Sequence, residues 1–456
     1  MTEVTLAQML LAREKRANLQ QALLATHHCP LISFSMNIAG PVKTSPLIER
    51  AFYTGLEALE SKLPTTLIRE RHTSISVTGC EAVFSVALDA LTLKDICLSI
   101  EDSSELGRLF DMDVLNVDGK KLSRNTLRGC IVCGRPGRVC AAGRLHPVSE
   151  LQESTYRIMY KYFKHHDPDW IASLAVQSLL DEVHTTPKPG LVDCHNSGSH
   201  TDMNIQTFIA SANSLKSYFR DCVSIGQNTA TLPPKETFPL LRQAGLVAEQ
   251  TMYQVTGGVN THKGLIYSMG ILCGSLGRLW TPETPIANIT ELLPLSARIV
   301  KHSVEKDFST IGTTTAGGRL YLEYGLTGIR GEVATGFPSV MTIGLPTYEN
   351  MLDNKLNSND AGRITLLYLI ESVKDTNLYH RGGYEGALFA KNSVHDLLKE
   401  FPIPSAKQIE ALDNIFIERN LSPGGCADLL AITYFLYSLK KFSLILHKGT
   451  KKPPAE

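Results

Sequence analysis

No stretch of this sequence is apolar for long enough to span a bilayer, and neither sign of charge prevails, with Lys plus Arg at 45 and Asp plus Glu at 45. That balance excludes the global basic field with which proteins gather DNA, RNA or an anionic lipid surface, so neither nucleic acid nor membrane is an expected partner. Low-complexity tracts are lacking as well; 43% hydrophobic and 20% charged residues are the proportions of a folded protein. The opening MTEVTLAQMLLAREKRANLQQALLATH alternates apolar and charged residues at helical spacing, without the unbroken apolar core of a secretory signal. Ten cysteines in so long a chain, with no such signal, point to reduced thiols and a cytoplasmic address.

At 456 residues the chain exceeds what one hydrophobic core usually organises, and two domains are expected. Up to about Leu145 helical and strand signals mix: CPLISFSMNI, SISVTG and ICLSIED are short β-rich runs, which predicts an α+β domain over residues 1–160. After His146 long helix-period segments take over, from RIMYKYFKHHDPDWIASLAVQSLLDEVH to CADLLAITYFLYSLKKF, predicting a mostly α-helical domain over 161–448 and a solvated tail over 449–456. The join is expected between Pro147 and Asp169, as a flexible link near Ser149.

Within the first part, GRLFDMDV places Asp111 and Asp113 two apart on a strand, hence on one face, with Gly107 just upstream. Two carboxylates so placed suit Mg²⁺ in phosphoryl or nucleotidyl transfer; the plainer reading is a solvated acidic strand edge. Cys130, Cys133, Cys140 and His146 have the residue types of a structural Zn²⁺ site, although the unusual spacing of the second pair favours reduced core thiols beside a basic loop. Lys43 and Ser45 precede a Pro-bounded helix start, where Lys43 is a candidate anion contact.

Five blocks in the second part concentrate Gly, Asp, His, Lys and Arg between helical segments. In TPKPGLVDCHNSGSHTDM, the prolines stop a helix and Gly190 allows a turn presenting Lys188, Asp193, Asn196, His200 and Asp202 to one cavity. GGVNTHKG sets Asn260, His262 and Lys263 before an apolar run, as at an anion-receiving helix start, whereas Gly270 and Gly274 further on read as packing glycines. GIRGEVATGFP supplies Arg330 and Glu332. DTNLYHRGGYEGA supplies Asp375 and Arg381 at a helix end, and SPGGCADLLA supplies Ser422 as a cap with Asp428 one turn on. Each residue alone has a structural explanation as cap or loop contact; the recurrence carries the reading of a phosphate and metal site.

From PLISFSMNIAGPVKTSPLIERAF through GRLFDMDVLNVDGKKLSR to CIVCGRPGRVCAAGRLH, the first domain resembles the apo-citrate lyase phosphoribosyl-dephospho-CoA transferase family. The five blocks, in order, resemble the triphosphoribosyl-dephospho-CoA synthase family. The first resemblance implies a nucleotidyltransferase-like fold using Asp111 and Asp113, with the acyl carrier (gamma) subunit of citrate lyase as partner; the related carrier of malonate decarboxylase is a further acceptor. The second implies ATP and 3′-dephospho-CoA as substrates with Mg²⁺. It makes Asp202 and Glu332 candidates for the base, and Asp193, Asp375 and Asp428 candidates for the metal. Lys188, His200, Asn260, His262, Lys263, Arg330 and Arg381 become candidates for binding nucleotide. Together they imply a fused, bifunctional prosthetic-group enzyme. The competing expectations are a nucleotide N-glycosidase fused to another nucleotidyltransferase, and a non-catalytic carrier-protein assembly module.

Overall fold

The computed structural model describes residues 2–124, 128–310, 312 and 315–448, so the tail expected over 449–456 lies outside the described residues. The chain divides into two compact units, Met1–His166 and Asp167–Glu456.

The first unit is built on a four-stranded antiparallel sheet of β1 (Leu31–Met36), β2 (Ile68–Ser76), β3 (Gly79–Val86) and β4 (Phe110–Leu115), in the order β2-β3-β1-β4. β1 and β3 hold the middle, and their side chains Leu31, Ile32, Phe34 and Phe84 are inaccessible to solvent. Helix Pro46–Lys62 covers one face, with the Phe52 ring stacked on Phe34 at 4.9 Å between centroids. Ser45 caps that helix by accepting from Ile48 N–H at 3.2 Å, with Pro46 in the first turn where its missing N–H costs nothing. β4 is an edge strand; Met112 and Val114 point into the core and Asp111 and Asp113 out of it, as the period of two dictates.

Two expectations are corrected. The run ICLSIED is not a strand: Ile96–Glu101 closes helix Ala90–Glu101, which Asp89 starts by accepting from Leu91 and Thr92 N–H. Leu93, Cys97 and Ile100 recur at three and four residues and fill the core, and that helical period outweighs the local β propensity of the isoleucines. The join is also no loop, because Ser149 lies in the first turn of a helix spanning Val148–His184.

The elements of the second unit are all helices among its described residues. Helix Lys263–Leu279 is buried on nearly every side, which its glycines permit: a Cβ on Gly270 would meet Tyr218 Oη at 2.1 Å and one on Gly277 the Val223 carbonyl at 2.0 Å. Around it a single apolar cluster runs from Ile171 to Leu439. No helix among the described residues is long and apolar enough to cross a membrane.

Candidate active sites

Three long helices of the second unit, Lys263–Leu279, Thr376–Glu400 and Gly424–Lys448, have their first turns in the wall of one cavity of about 660 Å³. Unpaired N–H groups and the positive end of the helix dipole make such starts receptive to anions. The cavity gathers residues from all five polar blocks: Lys188 and His200; Asn260, His262 and Lys263; Arg330 and Glu332; Asp375 and Arg381; Ser422 and Asp428. Their spacing in the chain is wide, and the helices bring them together.

The carboxylates here are pushed toward their neutral forms. Burial raises Asp428 well above the usual carboxylate range, with the negative charges of Glu182 and Asp375 adding to it. Asp428 accepts no hydrogen bond from any described residue, and its Oδ2 stands where a Cβ on Gly264 would fall, 1.8 Å away. Glu332 is also raised by burial, although Ser339 donates to it from both N–H and hydroxyl. Asp375 is raised by burial too; its oxygens accept from Asn377 N–H at 2.7 Å, Leu378 N–H at 3.1 Å and Cys426 N–H at 2.7 Å, fastening two helix starts to each other.

His262 is enclosed, and burial first and Lys188 second bring its pKa down to about 3. Thr261 donates to Ser211 Oγ at 2.7 Å, and Ser211 Oγ lies 2.8 Å from His262 Nδ1. Where Ser211 donates to Nδ1 the ring proton lies on Nε2, and Nε2 is buried without a partner among the described residues.

Some sequence candidates stand elsewhere. Asp202 is 60% exposed, outside the cavity wall, and 3.9 Å from His200 Nδ1. Asp193 is buried beneath the loop, accepting from the N–H groups of Lys188, His195 and Asn196 at 2.9, 2.7 and 3.1 Å. Asn196 reaches Asp413, which also accepts from Gly190 N–H, so both aspartates fold the loop. Gly190 itself sits at φ 69°, where a Cβ would meet the Leu421 carbonyl at 2.1 Å. Ser422 lies ahead of helix Gly424–Lys448 with its hydroxyl 2.9 Å from His200 Nε2, so it is a partner of that histidine. Asp375 caps the start of helix Thr376–Glu400, and Arg381 therefore lies in that helix's second turn; its guanidinium binds Asn420 and the Ser199 carbonyl.

Sequence reasoning missed Glu182. Its Oε1 is 2.5 Å from Lys188 Nζ, both side chains being almost wholly buried, and Nζ also donates to the Glu182 carbonyl at 2.7 Å. The signal was available: Glu182 follows Ala175 and Leu179 on the apolar stripe of its helix, where a carboxylate needs a partner. Glu249, 2.8 Å from the half-exposed Lys263, gave no such signal.

In the first unit a second cavity of about 920 Å³ lies over Asp111 and Asp113. Burial first and Asp113 second raise Asp111, while Asp113 pairs with Lys121 at 2.5 Å. The facing wall is cationic, carrying Arg108, Arg124, Arg128, Arg138 and Arg144. Arg128 is held at 2.9 Å from the buried Glu101, which in turn accepts from Met112 N–H on β4. Lys43 lies outside this wall and donates to the Ile38 carbonyl, its pKa lowered by burial and then by Arg13.

Family comparisons divide the chain along the same lines. Residues 4–162 match the CitX family model, described as apo-citrate lyase phosphoribosyl-dephospho-CoA transferase, and residues 168–445 match the CitG model, described as ATP:dephospho-CoA triphosphoribosyl transferase. Protein CitXG of Haemophilus influenzae is 36% identical over 96% of this chain and 97% of its own length. Protein CitXG of Leuconostoc mesenteroides subsp. cremoris is 32% identical over the same shares. A probable 2-(5''-triphosphoribosyl)-3'-dephosphocoenzyme-A synthase of Vibrio cholerae is 40% identical over 61% of this chain and 91% of its own.

Proposed function

Because the chain belongs to the family in which CitX and CitG are fused, a family of transferases serving the prosthetic group of citrate lyase, we propose that its two cavities perform consecutive steps of making and attaching that group. The observation that carries the reading is the convergence of three helix starts and five polar blocks on one cavity.

In the first step, ATP and 3′-dephospho-CoA enter the cavity of the second unit. The 2′-hydroxyl of dephospho-CoA bonds to the anomeric carbon of the ATP ribose, the bond from that carbon to adenine breaks, and the triphosphate stays on the product. Lys263, Arg330 and the start of helix Lys263–Leu279 receive the triphosphate. Glu332, its pKa raised by burial, takes the hydroxyl proton, and its place in the cavity wall makes it a better base than the exposed Asp202. The departing adenine takes up a proton from water, which balances the one given to Glu332.

In the second step, a serine hydroxyl of the citrate lyase acyl carrier subunit attacks the phosphate next to ribose in the first unit, and diphosphate leaves. The serine proton leaves with the diphosphate, Asp111 and Asp113 face the reacting phosphate from β4, and Arg128 and its neighbours balance the charge of the diphosphate. Carboxylates on an outward face of a mixed α/β sheet unit are the nucleotidyltransferase-like part of the reading.

Among the described residues no three carboxylates gather their oxygens within 4.8 Å, so neither cavity offers a cation an all-carboxylate cage. One or two carboxylates completed by phosphate oxygens is how Mg²⁺ is usually held, and the residues fit that mode: Asp111 with Asp113 in one unit, Asp428 in the other. Asp375 and Asp193 are committed to backbone N–H groups. When bound, Mg²⁺ supplies positive charge to the polyphosphate.

The test is mass spectrometry of purified protein with Mg²⁺, ATP and 3′-dephospho-CoA, followed by addition of apo acyl carrier subunit. Free adenine, a triphosphoribosylated product and then a carrier heavier by the phosphoribosyl-dephospho-CoA group support the reading. Adenine without the coupled product identifies an N-glycosidase, and no turnover by folded protein identifies an assembly module.

A further inference from the structure

The chemistry of both steps leaves one cluster unused. Cys130, Cys133, Cys140 and His146 bring their ligand atoms within 4.8 Å of one another, the only such group of three or more His, Cys, Asp or Glu among the described residues. We propose that these four residues bind one structural Zn²⁺, and that this ion holds the arginine-bearing wall of the first unit's cavity in place.

Cys133 Sγ lies 3.5 Å from Cys140 Sγ and 3.3 Å from His146 Nε2. Tetrahedral zinc with bonds of about 2.3 Å to sulfur and 2.0–2.1 Å to nitrogen sets ligand atoms roughly 3.5–3.8 Å apart, so the observed spacing needs only a small adjustment. The other ring nitrogen, Nδ1, is 2.9 Å from Glu150 Oε2, the outer carboxylate contact that orients a metal-bound imidazole. The backbone around the first two cysteines is already bent toward a shared ligand. Cys130 N–H donates to the Arg135 carbonyl at 2.6 Å, Gly134 N–H to the Cys130 carbonyl at 3.0 Å, and Val132 N–H to Cys130 Sγ at 3.4 Å. Four protein ligands leave no open position, as in structural rather than catalytic zinc sites.

What else holds the segment supports the same conclusion. Over residues 128–146 the buried residues are Cys130 and Cys140 alone, and helix Gly137–Gly143 buries just Cys140. A seven-residue helix with one buried side chain has too little apolar contact to fix itself, so a cross-link must supply the order. The same segment carries Arg128, Arg138 and Arg144 into the cavity wall beside Asp111, and Arg108 donates to the Gly129 carbonyl at 2.6 Å. Zinc is favoured over Mg²⁺ or Ca²⁺ by three thiolates and an imidazole, ligands those hard cations do not select.

The functional half of the proposal rests on the carrier-transfer reading of this unit, and its test separates the two. Full-length protein, purified under reducing conditions without chelator, is assayed for metal by mass spectrometry of elements and, after exchange, for the visible bands of tetrahedral cobalt thiolate. One zinc per chain is expected, falling at least tenfold in Cys133→Ser, whose exposed site leaves no core void, and in Cys140→Ser. Stripping zinc with a chelator that is then dialysed away, with Mg²⁺ restored for the assay, is expected to lower carrier modification at least tenfold and leave adenine release unchanged. Absence of zinc and of cobalt bands in reduced protein, or a Cys133–Cys140 disulfide in their stead, overturns the metal site. Zinc at one per chain with carrier modification unaffected by its removal overturns the wall-holding role. Zinc with no carrier modification even in the loaded protein refutes the transfer reading and leaves the metal site standing.

Discussion

Lys188→Met decides whether the lysine of the PKPG turn serves ligand or fold. Lys188 is almost wholly buried and spends its ammonium on Glu182, through both the Oε1 and the carbonyl. Removing the cation leaves a buried carboxylate near Asp428 with nothing to balance it, a change that costs about 3–5 kcal/mol. At roughly 2–4 °C per kcal/mol for a domain of a few hundred residues or less, the second unit should melt about 6–20 °C lower. Burial already raises the Glu182 pKa, so the folded state binds a proton more readily than the unfolded one, and stability falls as pH climbs from about 4.3 through the raised value. Losing Lys188 raises that pKa further. The deficit of Lys188→Met should therefore be smaller at pH 5 than at pH 8, and Lys188→Met/Glu182→Gln should recover at least half of it. Thermal melts by circular dichroism at the two pH values measure this directly. A single variant that melts within about 1 kcal/mol of wild type while its KM for ATP rises would show a phosphate ligand, and refute the structural pairing.

Asp111→Asn should reduce carrier modification about a thousandfold, the loss of some 4 kcal/mol of charge stabilisation through the cation it holds, while adenine release is unchanged; product assays with each substrate set check it. Gly264→Ala would ordinarily favour a helix by up to about 1 kcal/mol, but its Cβ would fall 1.8 Å from Asp428 Oδ2. Net destabilisation of about 1–3 kcal/mol with loss of adenine release is expected in melts and turnover, and a stabilised, active variant would contradict it. The depressed His262 pKa means that unfolding takes up a proton below about pH 6.5, so its contribution to stability is present above that pH and is lost as pH falls toward 3. Urea titrations from pH 6 to 4 should thus show a slope shallower by up to about 1.4 kcal/mol per pH unit in His262→Asn.

Local period made some of this legible and hid the rest. The alternation in DMDV has one outcome, and β4 delivers Asp111 and Asp113 on a common face. ICLSIED misled because its isoleucines favour strands, while the evidence for a helix lay in the cap Asp89, seven residues earlier. The polar blocks announced a site through composition, yet which members face inward depends on contacts more than 200 residues apart. Asn196 with Asp413, and Ser199 with Leu421, decide that Asp193 turns beneath the loop and Asp202 out to solvent. Glu182 was overlooked for the opposite reason: it belongs to no block, and its meaning comes from the stripe it interrupts.

The described residues that line each cavity come from one side of the division at His166 and Asp167. On the proposal that each cavity is a separate site, a copy damaged in one half and a copy damaged in the other are expected to complement when they share a cell. The single gene then behaves, in a genetic cross, as two neighbouring genes whose shared transcript fixes their dosage at one to one, which matches a precursor that is made once for each carrier to be filled.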